Sequence, residues 1–393
     1  MSEWEKTRLG DVIETNTISY STKEGWKFVN YLDTGNITEN VVAEIQRIDL
    51  NTEKLPSRAK RKVHYNSILY STVRPNQRHY GIVKEQPENF LVSTGFTVID
   101  ADEFKVDADF LYFFLSQDNL VELLHSIAEQ SVSTYPSIKA SDIENIEVEL
   151  PPLVEQKRIA SILNALSDKI RQNTEINKNL EQQVELLFAD CFLNLSEIPD
   201  GWKESNLLEI ADYLNGLAMQ KYRPEADEKG IPVLKIKELR QGFCDSSSEL
   251  CTPSIKSEYI IHDGDVIFSW SGSLLVDLWC GDICGLNQHL FKVTSSKYDK
   301  WFYYAWTAHY LSRFAAIAAD KATTMGHIKR EDLGKAKVLI PSDEDYHRIG
   351  VLLQPIYDLI ISNKIENRQL ASVRDSLLPK LMSGELDVSN TDI

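Results

Sequence analysis

The sequence predicts an α+β chain: two mixed α/β domains in tandem repeat, separated by two long helices that form an antiparallel coiled coil with pseudo-two-fold symmetry. Three observations predict it. Matching segments recur about half a chain apart, short β-branched and aromatic runs sit between turn residues, and a heptad seam occurs twice. The 393 residues are 42% hydrophobic and 26% charged, so ordinary cores can be filled over a length that suits two or three domains.

The repeat comes first. Trp4-Glu-Lys-Thr-Arg-Leu9 aligns with Trp202-Lys-Glu-Ser-Asn-Leu207, and His64-Tyr-Asn-Ser-Ile-Leu-Tyr-Ser71 with His262-Asp-Gly-Asp-Val-Ile-Phe-Ser269, both at a shift of 198. Further on the shift falls to 190: Ser137-Ile-Lys-Ala-Ser-Asp-Ile143 matches His327-Ile-Lys-Arg-Glu-Asp-Leu333, and Leu150-Pro151 matches Ile340-Pro341. An ordered series of this kind, with a few loop deletions, is the signature of duplication. Each copy has a mixed part, residues 1–150 and 193–341, then a helical part, residues 151–192 and 342–393 with the C-terminal tail. Ser67–Val73 and Asp265–Trp270 read as strands. Asp109–Leu115 and Trp301–Trp306 read as buried helices, though periodicity alone does not separate them from strands.

The helical parts carry the seam. Ile159, Leu163, Leu166, Ile170, Asn173, Asn177, Leu180, Val184, Leu187 and Cys191 advance alternately by four and three residues, a coiled-coil spacing. Adding 190 gives Ile349, Leu353, Ile356, Ile360, Asn363, Asn367, Leu370, Arg374, Leu377 and Leu381. Both copies place two asparagines mid-helix. In an antiparallel pair only residues near the midpoints meet their counterparts, so Asn173, Asn177, Asn363 and Asn367 are expected to pair and fix the register. The competing reading is that they are solvated where the coil is loose. Pro355 is expected to kink or restart the second helix. A helix from about Val154 to Cys191 spans roughly 57 Å, long enough to hold two readers about one DNA turn apart on one face of a duplex.

Charge sharpens the question of what is read. The chain has 42 Lys and Arg against 59 Asp and Glu, a net −17, which argues against nucleic acid only if the charge is evenly spread. It is not. Lys54, Arg58, Lys60, Arg61, Lys62, Arg74, Arg78 and Lys84 fall in a stretch with no acidic residue between Glu53 and Glu85. Within it, Arg74, Asn76, Gln77, Arg78, His79 and Tyr80 are types suited to base edges, stacking and phosphates, with Lys60, Arg61 and Lys62 suited to the backbone. A solvated basic loop, or one that binds an acidic protein, has the same composition. The second copy offers Trp270, Ser271, Ser273, Asn287, Gln288, His289, Thr323, Thr324, His327 and Lys329, a more polar and less basic set. One scaffold with different loops is what two readers of different sequences require.

Catalytic motifs are absent from the sequence. It has no Gly-x-x-x-x-Gly-Lys-Ser/Thr loop, no Gly-x-Gly-x-x-Gly opening a helix, and no His-Glu-x-x-His. Leu150-Pro-Pro-Leu153 lacks the flanks of an amino-methyltransferase motif and marks a helix start. Pro224–Lys229 is too compressed for a nuclease carboxylate cluster. Cys280 and Cys284, with Cys244 and Cys251, lack the usual zinc spacing, so no metal site is expected. Five cysteines, an odd number, argue against a disulfide framework. With an N-terminus unlike a secretion signal and no apolar run of spanning length, they point to the cytoplasm.

Leu150-Pro-Pro-Leu-Val-Glu-Gln-Lys-Arg-Ile159 at the head of a coiled-coil helix, the duplicated layout, and the ending Leu377-Leu-Pro-Lys-Leu-Met-Ser-Gly-Glu-Leu-Asp387 together resemble the specificity subunit of type I restriction–modification enzymes. The second copy departs from the motif: Pro341-Ser-Asp-Glu-Asp-Tyr-His-Arg-Ile349 lacks the Glu-Gln. The resemblance implies two target-recognition domains that each read half of a split double-stranded DNA sequence, on a chain with no catalysis and no cofactor of its own. It also implies two modification (methyltransferase) subunits bringing S-adenosylmethionine, and restriction/translocase subunits using ATP and Mg²⁺. Partner subunits would cover the acidic surface. The rival readings are a two-headed protein adaptor and a stand-alone DNA-modifying enzyme.

Overall fold

A computed structural model describes residues 4–131, 136–320 and 327–388. The chain forms two compact units, Met1–Asp168 with Ser372–Ile393, and Lys169–Ala371.

In the first unit, one sheet runs in the order Gln46–Asp49, Phe28–Leu32, Phe90–Ser93, Ala59–Arg61, its two middle strands parallel. The other runs Ile13–Thr15, Phe96–Ala101, Ile68–Ser71, Tyr80–Ile82, all antiparallel. Ile68–Ser71 is buried along its whole length because both faces are covered. Ile68 and Tyr70 join one core with helices α1 (Ala108–Ser116) and α2 (Asp118–Glu129), and Leu69 joins a second with Phe96 and Val98. Such a strand shows a continuous apolar run rather than alternation. Helix α3 (Leu153–Phe188) starts in this unit, where Ile159 and Leu163 share the α1–α2 core with Leu377 and Leu381.

The second unit repeats the plan. Its sheets run Leu250–Cys251, Ile231–Leu234, Cys284–Leu286, Ile260–Ile261, again with parallel middle strands, and Asp212–Asn215, Leu290–Thr294, Val266–Ser269, Leu275–Leu278. Helices α4 (Lys300–His309) and α5 (Leu311–Asp320) stand where α1 and α2 do in the first copy. The correspondence extends to register. Glu5 faces Leu150 and Lys203 faces Ile340, at shifts of 198 and 190. Helix α6 (Asp343–Met382) completes the set.

Within the second unit α3 and α6 run antiparallel, joined by the seam asparagines. Asn363 Nδ2 donates to Asn177 Oδ1 at 2.8 Å, and Asn177 Nδ2 to the Ile360 carbonyl at 3.1 Å. Asn173 Nδ2 donates to Asn367 Oδ1 at 2.9 Å and to Glu366 Oε2 at 2.7 Å. Asn173, Asn177 and Asn363 are all buried, so a slipped register would strand amides away from water. Asn177→Leu, which leaves the Asn363 amide without its acceptor, is expected to lower stability by about 1–3 kcal/mol in urea unfolding. Adding Asn363→Leu is expected to recover most of that loss; single and double variants with equal midpoints would refute the pairing argument.

Of the two outcomes expected at Pro355, a kink or a restart, the restart does not occur: helix α6 is continuous from Asp343 to Met382. Proline removes one donor, that for the Val351 carbonyl. Leu353, Tyr357 and Ile360 on either side are buried, and this packing carries the helix across the gap.

The altered motif at the head of α6 also has a structural account. In the first unit the buried Gln156 accepts from the backbone N–H of Asp107, the residue that caps α1, at 2.8 Å. Its Nε2 donates to the carbonyls of Lys105 and Pro151. In the second unit Tyr346 stands in its place, and its hydroxyl accepts from the N–H of Asp299, just before α4, at 2.7 Å. An amide and a phenol thus anchor the same turn. Gln156→Ala is expected to destabilise the first unit by about 2–3 kcal/mol, since two carbonyls and one N–H lose their partner together; thermal unfolding measures it.

Candidate nucleic-acid interface

The loop singled out from the sequence caps the hairpin between Ile68–Ser71 and Tyr80–Ile82, which pair Ile68 with Ile82 and Tyr70 with Tyr80. A 3₁₀ turn, Pro75–Gln77, sits at its crest, flanked by Arg74 at φ 47° and Arg78 at φ 55°. Left-handed backbone costs about 1–2 kcal/mol per non-glycine residue. In the second copy the residue aligned with Arg74 is Gly272, at φ 65°. The turn therefore demands left-handed geometry in both copies, and the first accepts strain to display a guanidinium where glycine would serve.

The loop is tied down on the same side in each copy. Val73 bridges Ser137 in the first, and Ser271 bridges His327 in the second, at the same two repeat shifts. Ile138 N–H donates to the Thr72 carbonyl at 2.8 Å, and Ile328 N–H to that of Trp270 at 3.2 Å.

Side chains of the first loop divide into two groups. Arg74, Asn76 and Gln77 are exposed at the crest. The other three are less exposed. Arg78 donates to Asp118 at 2.5 Å and lies 3.5 Å from Glu39; burial works against its charge, but Asp118 and Tyr80 raise its pKa overall. His79 Nδ1 lies 2.7 Å from the Ile37 carbonyl, an acceptor, so that nitrogen carries the proton. Tyr80 is 4% exposed and stacks on Tyr70; its hydroxyl, pushed up to about 12 by burial, lies 3.4 Å from Arg78. It is a core residue, which corrects its assignment as a surface contact.

The basic stretch is also smaller in space than in sequence. Lys62 pairs with Glu24 and Lys84 with Asp109, acids brought in from elsewhere in the chain. Arg61 is half-buried with its Nε lacking a partner, and burial lowers its pKa. Lys54, Arg58 and Lys60 are exposed. Lys60, Arg61 and Lys62 belong to the Ala59–Arg61 strand and its end, in a different sheet from the loop.

In the second copy the candidates gather at the corresponding hairpin, Val266–Ser269 with Leu275–Leu278. Trp270 packs against Phe291, His289 and His327, with ring centroids 5.7, 6.1 and 6.2 Å away, and donates its N–H to Asn215 at 2.9 Å. Ser271 Oγ lies 3.0 Å from His289 Nδ1, and the buried Asn287 accepts from the His289 N–H at 3.3 Å. Gln288 presents a buried Oε1 without a partner. Ser273, His327 and Lys329 are exposed, whereas Thr323 and Thr324 lie outside the described residues. The outcome is an aromatic and amide surface rather than a basic one.

Among the described residues, no group of three His, Cys, Asp or Glu is arranged to hold a metal ion, and no helix is long and apolar enough to cross a membrane. The family model of the type I restriction modification DNA specificity domain matches residues 1–182 and again 199–372. The chain belongs to this family. The specificity subunit of the type I restriction enzyme HindI from Haemophilus influenzae is 22% identical over 462 residues, covering 98% of this chain and all of that one. The MjaIX specificity subunit from Methanocaldococcus jannaschii is 25% identical, covering 98% and 94%. Among solved structures, the type I restriction–modification S subunit from M. genitalium shares the fold at 14% identity and a TM-score of 0.58, with 96% of each chain covered. The two family matches fall on the two copies found by self-alignment, and each contains one hairpin loop described above.

Proposed function

We propose that this chain reads a two-part double-stranded DNA target, one half with the Arg74–His79 loop and its surroundings, the other with the Trp270–Ser273 hairpin and its neighbours. The observation that carries this is the same hairpin built twice with the same ties and with turns of different length and side chains. The first copy displays an arginine at a strained position where the second has glycine. Arginine suits guanine edges and phosphates, and the amides and aromatics of the second copy suit adenine edges and stacking. The α3–α6 pair, locked by its asparagines, serves as a ruler between the readers.

Such a chain does no chemistry itself and works in the cytoplasm. Two modification (methyltransferase) subunits bind S-adenosylmethionine and methylate adenine within the target, and restriction/translocase subunits bring ATP and Mg²⁺. The test maps modified bases genome-wide with and without the gene, then titrates the mapped duplex with the assembled complex at several salt concentrations. A split motif that disappears with the gene, and a log affinity that falls linearly with log salt, are expected. No change in modification and no salt-dependent binding would favour a two-headed protein adaptor.

A further inference from the structure

The reading hairpin of the second unit is clamped to α6 by two cations outside the coiled-coil seam. Ile361, Lys364 and Arg368, at i, i+3 and i+7, share a face beside the seam residues Ile360, Asn363 and Asn367. Arg368 grips Asp263 with both arms of its guanidinium, at 2.7 and 2.8 Å, and donates to the Cys280 carbonyl at 2.7 Å. Lys364 donates to Asp277 at 2.6 Å. Asp277 lies on Leu275–Leu278, the strand that descends from the Trp270–Ser273 turn, and Asp263 on the loop that leads into the rising strand. Both stems of the hairpin are therefore held from one helical face.

The clamp is better protected than a surface ion pair. All four side chains are 24–29% exposed. Burial opposes the charge on Asp263, yet Arg368 and the Asp282 N–H outweigh it and hold the carboxyl below its usual range. Burial likewise opposes the charge on Lys364, and Asp277 with Glu181 keeps its pKa raised. The first copy has no counterpart in sequence: the residues that correspond to Asp263, Asp277, Lys364 and Arg368 are Tyr65, Gly81, Thr174 and Lys178. A feature shared by both copies would belong to the scaffold. This one belongs to the second reader.

We infer that Lys364 and Arg368 are positioning residues that fix the second reading hairpin on its helix and so set how strictly the spacing between the two DNA half-sites is read. The inference rests on the DNA reading proposed above. A base pair added to the spacer turns one half-site by about a tenth of a helical turn, which a rigidly held hairpin rejects and a loosened one follows.

The experiment uses the assembled complex and duplexes that carry the mapped half-sites with the native spacer, or with one base pair more or fewer. The wild type is expected to prefer the native spacer by roughly 100-fold or more, and Lys364→Met with Arg368→Leu to retain less than about tenfold, with discrimination inside each half-site unchanged. Hydrogen exchange at residues 262–265 and 275–280 in the DNA-free chain is expected to quicken in the same variant. Swapping the charges, Arg368→Asp with Asp263→Arg, is expected to restore spacing strictness, which mere destabilisation would not do. Unaltered spacer preference in a variant whose hairpin exchanges faster overturns the inference while leaving DNA reading intact. If the wild type binds none of the duplexes, both fall.

Discussion

Arg74→Gly is expected to weaken binding of the mapped duplex by about 10–100-fold while leaving the unfolding midpoint close to that of the wild type. In the backbone, two opposing terms keep the stability change small. Glycine relieves the left-handed strain at φ 47° but adds freedom to the unfolded chain, and each is worth about 1 kcal/mol. The binding loss has no such offset, because the guanidinium is gone. The form of the loss identifies the contact. A base contact relaxes sequence preference at one position and leaves the salt dependence alone, whereas a phosphate contact weakens all sequences and lowers the salt slope by about one. Arg78→Ala provides the contrast: it removes the bonds to Asp118 and Glu39, so it is expected to loosen the loop and lower stability first. Wild-type affinity and preference in Arg74→Gly would remove the loop from the interface.

Phe192→Ala is expected to cost about 3–5 kcal/mol, the largest effect on stability foreseen for this chain. Phe192 lies in the π-helical turn that follows α3, is 3% exposed, and has five aromatic neighbours. The rings of Phe188, Trp306, Trp202, Phe302 and Trp301 lie 5.0, 5.4, 5.5, 6.0 and 6.5 Å from it. Removing the hub leaves a cavity between rigid rings that cannot collapse into it. Three of the neighbours are tryptophans, so their fluorescence reports the unfolding directly. Leu193→Ala, one residue on and 42% exposed, is expected to stay within about 0.5 kcal/mol of wild type. Equal midpoints for the two variants would contradict the hub.

Repetition made the fold legible. Two copies aligned at fixed shifts show which segments are scaffold, and the heptad seam with its asparagines specifies both helices and their direction. Pro355 does not restart the helix because one missing donor is a local cost, whereas burial on both sides of it is a property of the packed molecule. The site was only partly legible. Residue type located the Arg74–Tyr80 loop, but type does not say which cations meet acids brought in from distant segments, as Glu24, Asp109 and Asp118 are. Nor did it separate the buried Tyr80 from the exposed Asn76. A usable signal was present in the repeat: Gly272 opposite Arg74 marks a position that needs left-handed backbone. The ion pairs of Lys364 and Arg368 gave no such sign, because they join segments roughly a hundred residues apart.

The anchoring of Asp107 by Gln156 and of Asp299 by Tyr346 bears on how such genes diversify. Each side chain offers an oxygen to the same backbone N–H, so a recombinant that moves one half's globule onto the other half's helical stem finds a usable acceptor waiting. New pairings of half-specificities can then arise by exchange of whole blocks, without rebuilding the joints on which those blocks are mounted.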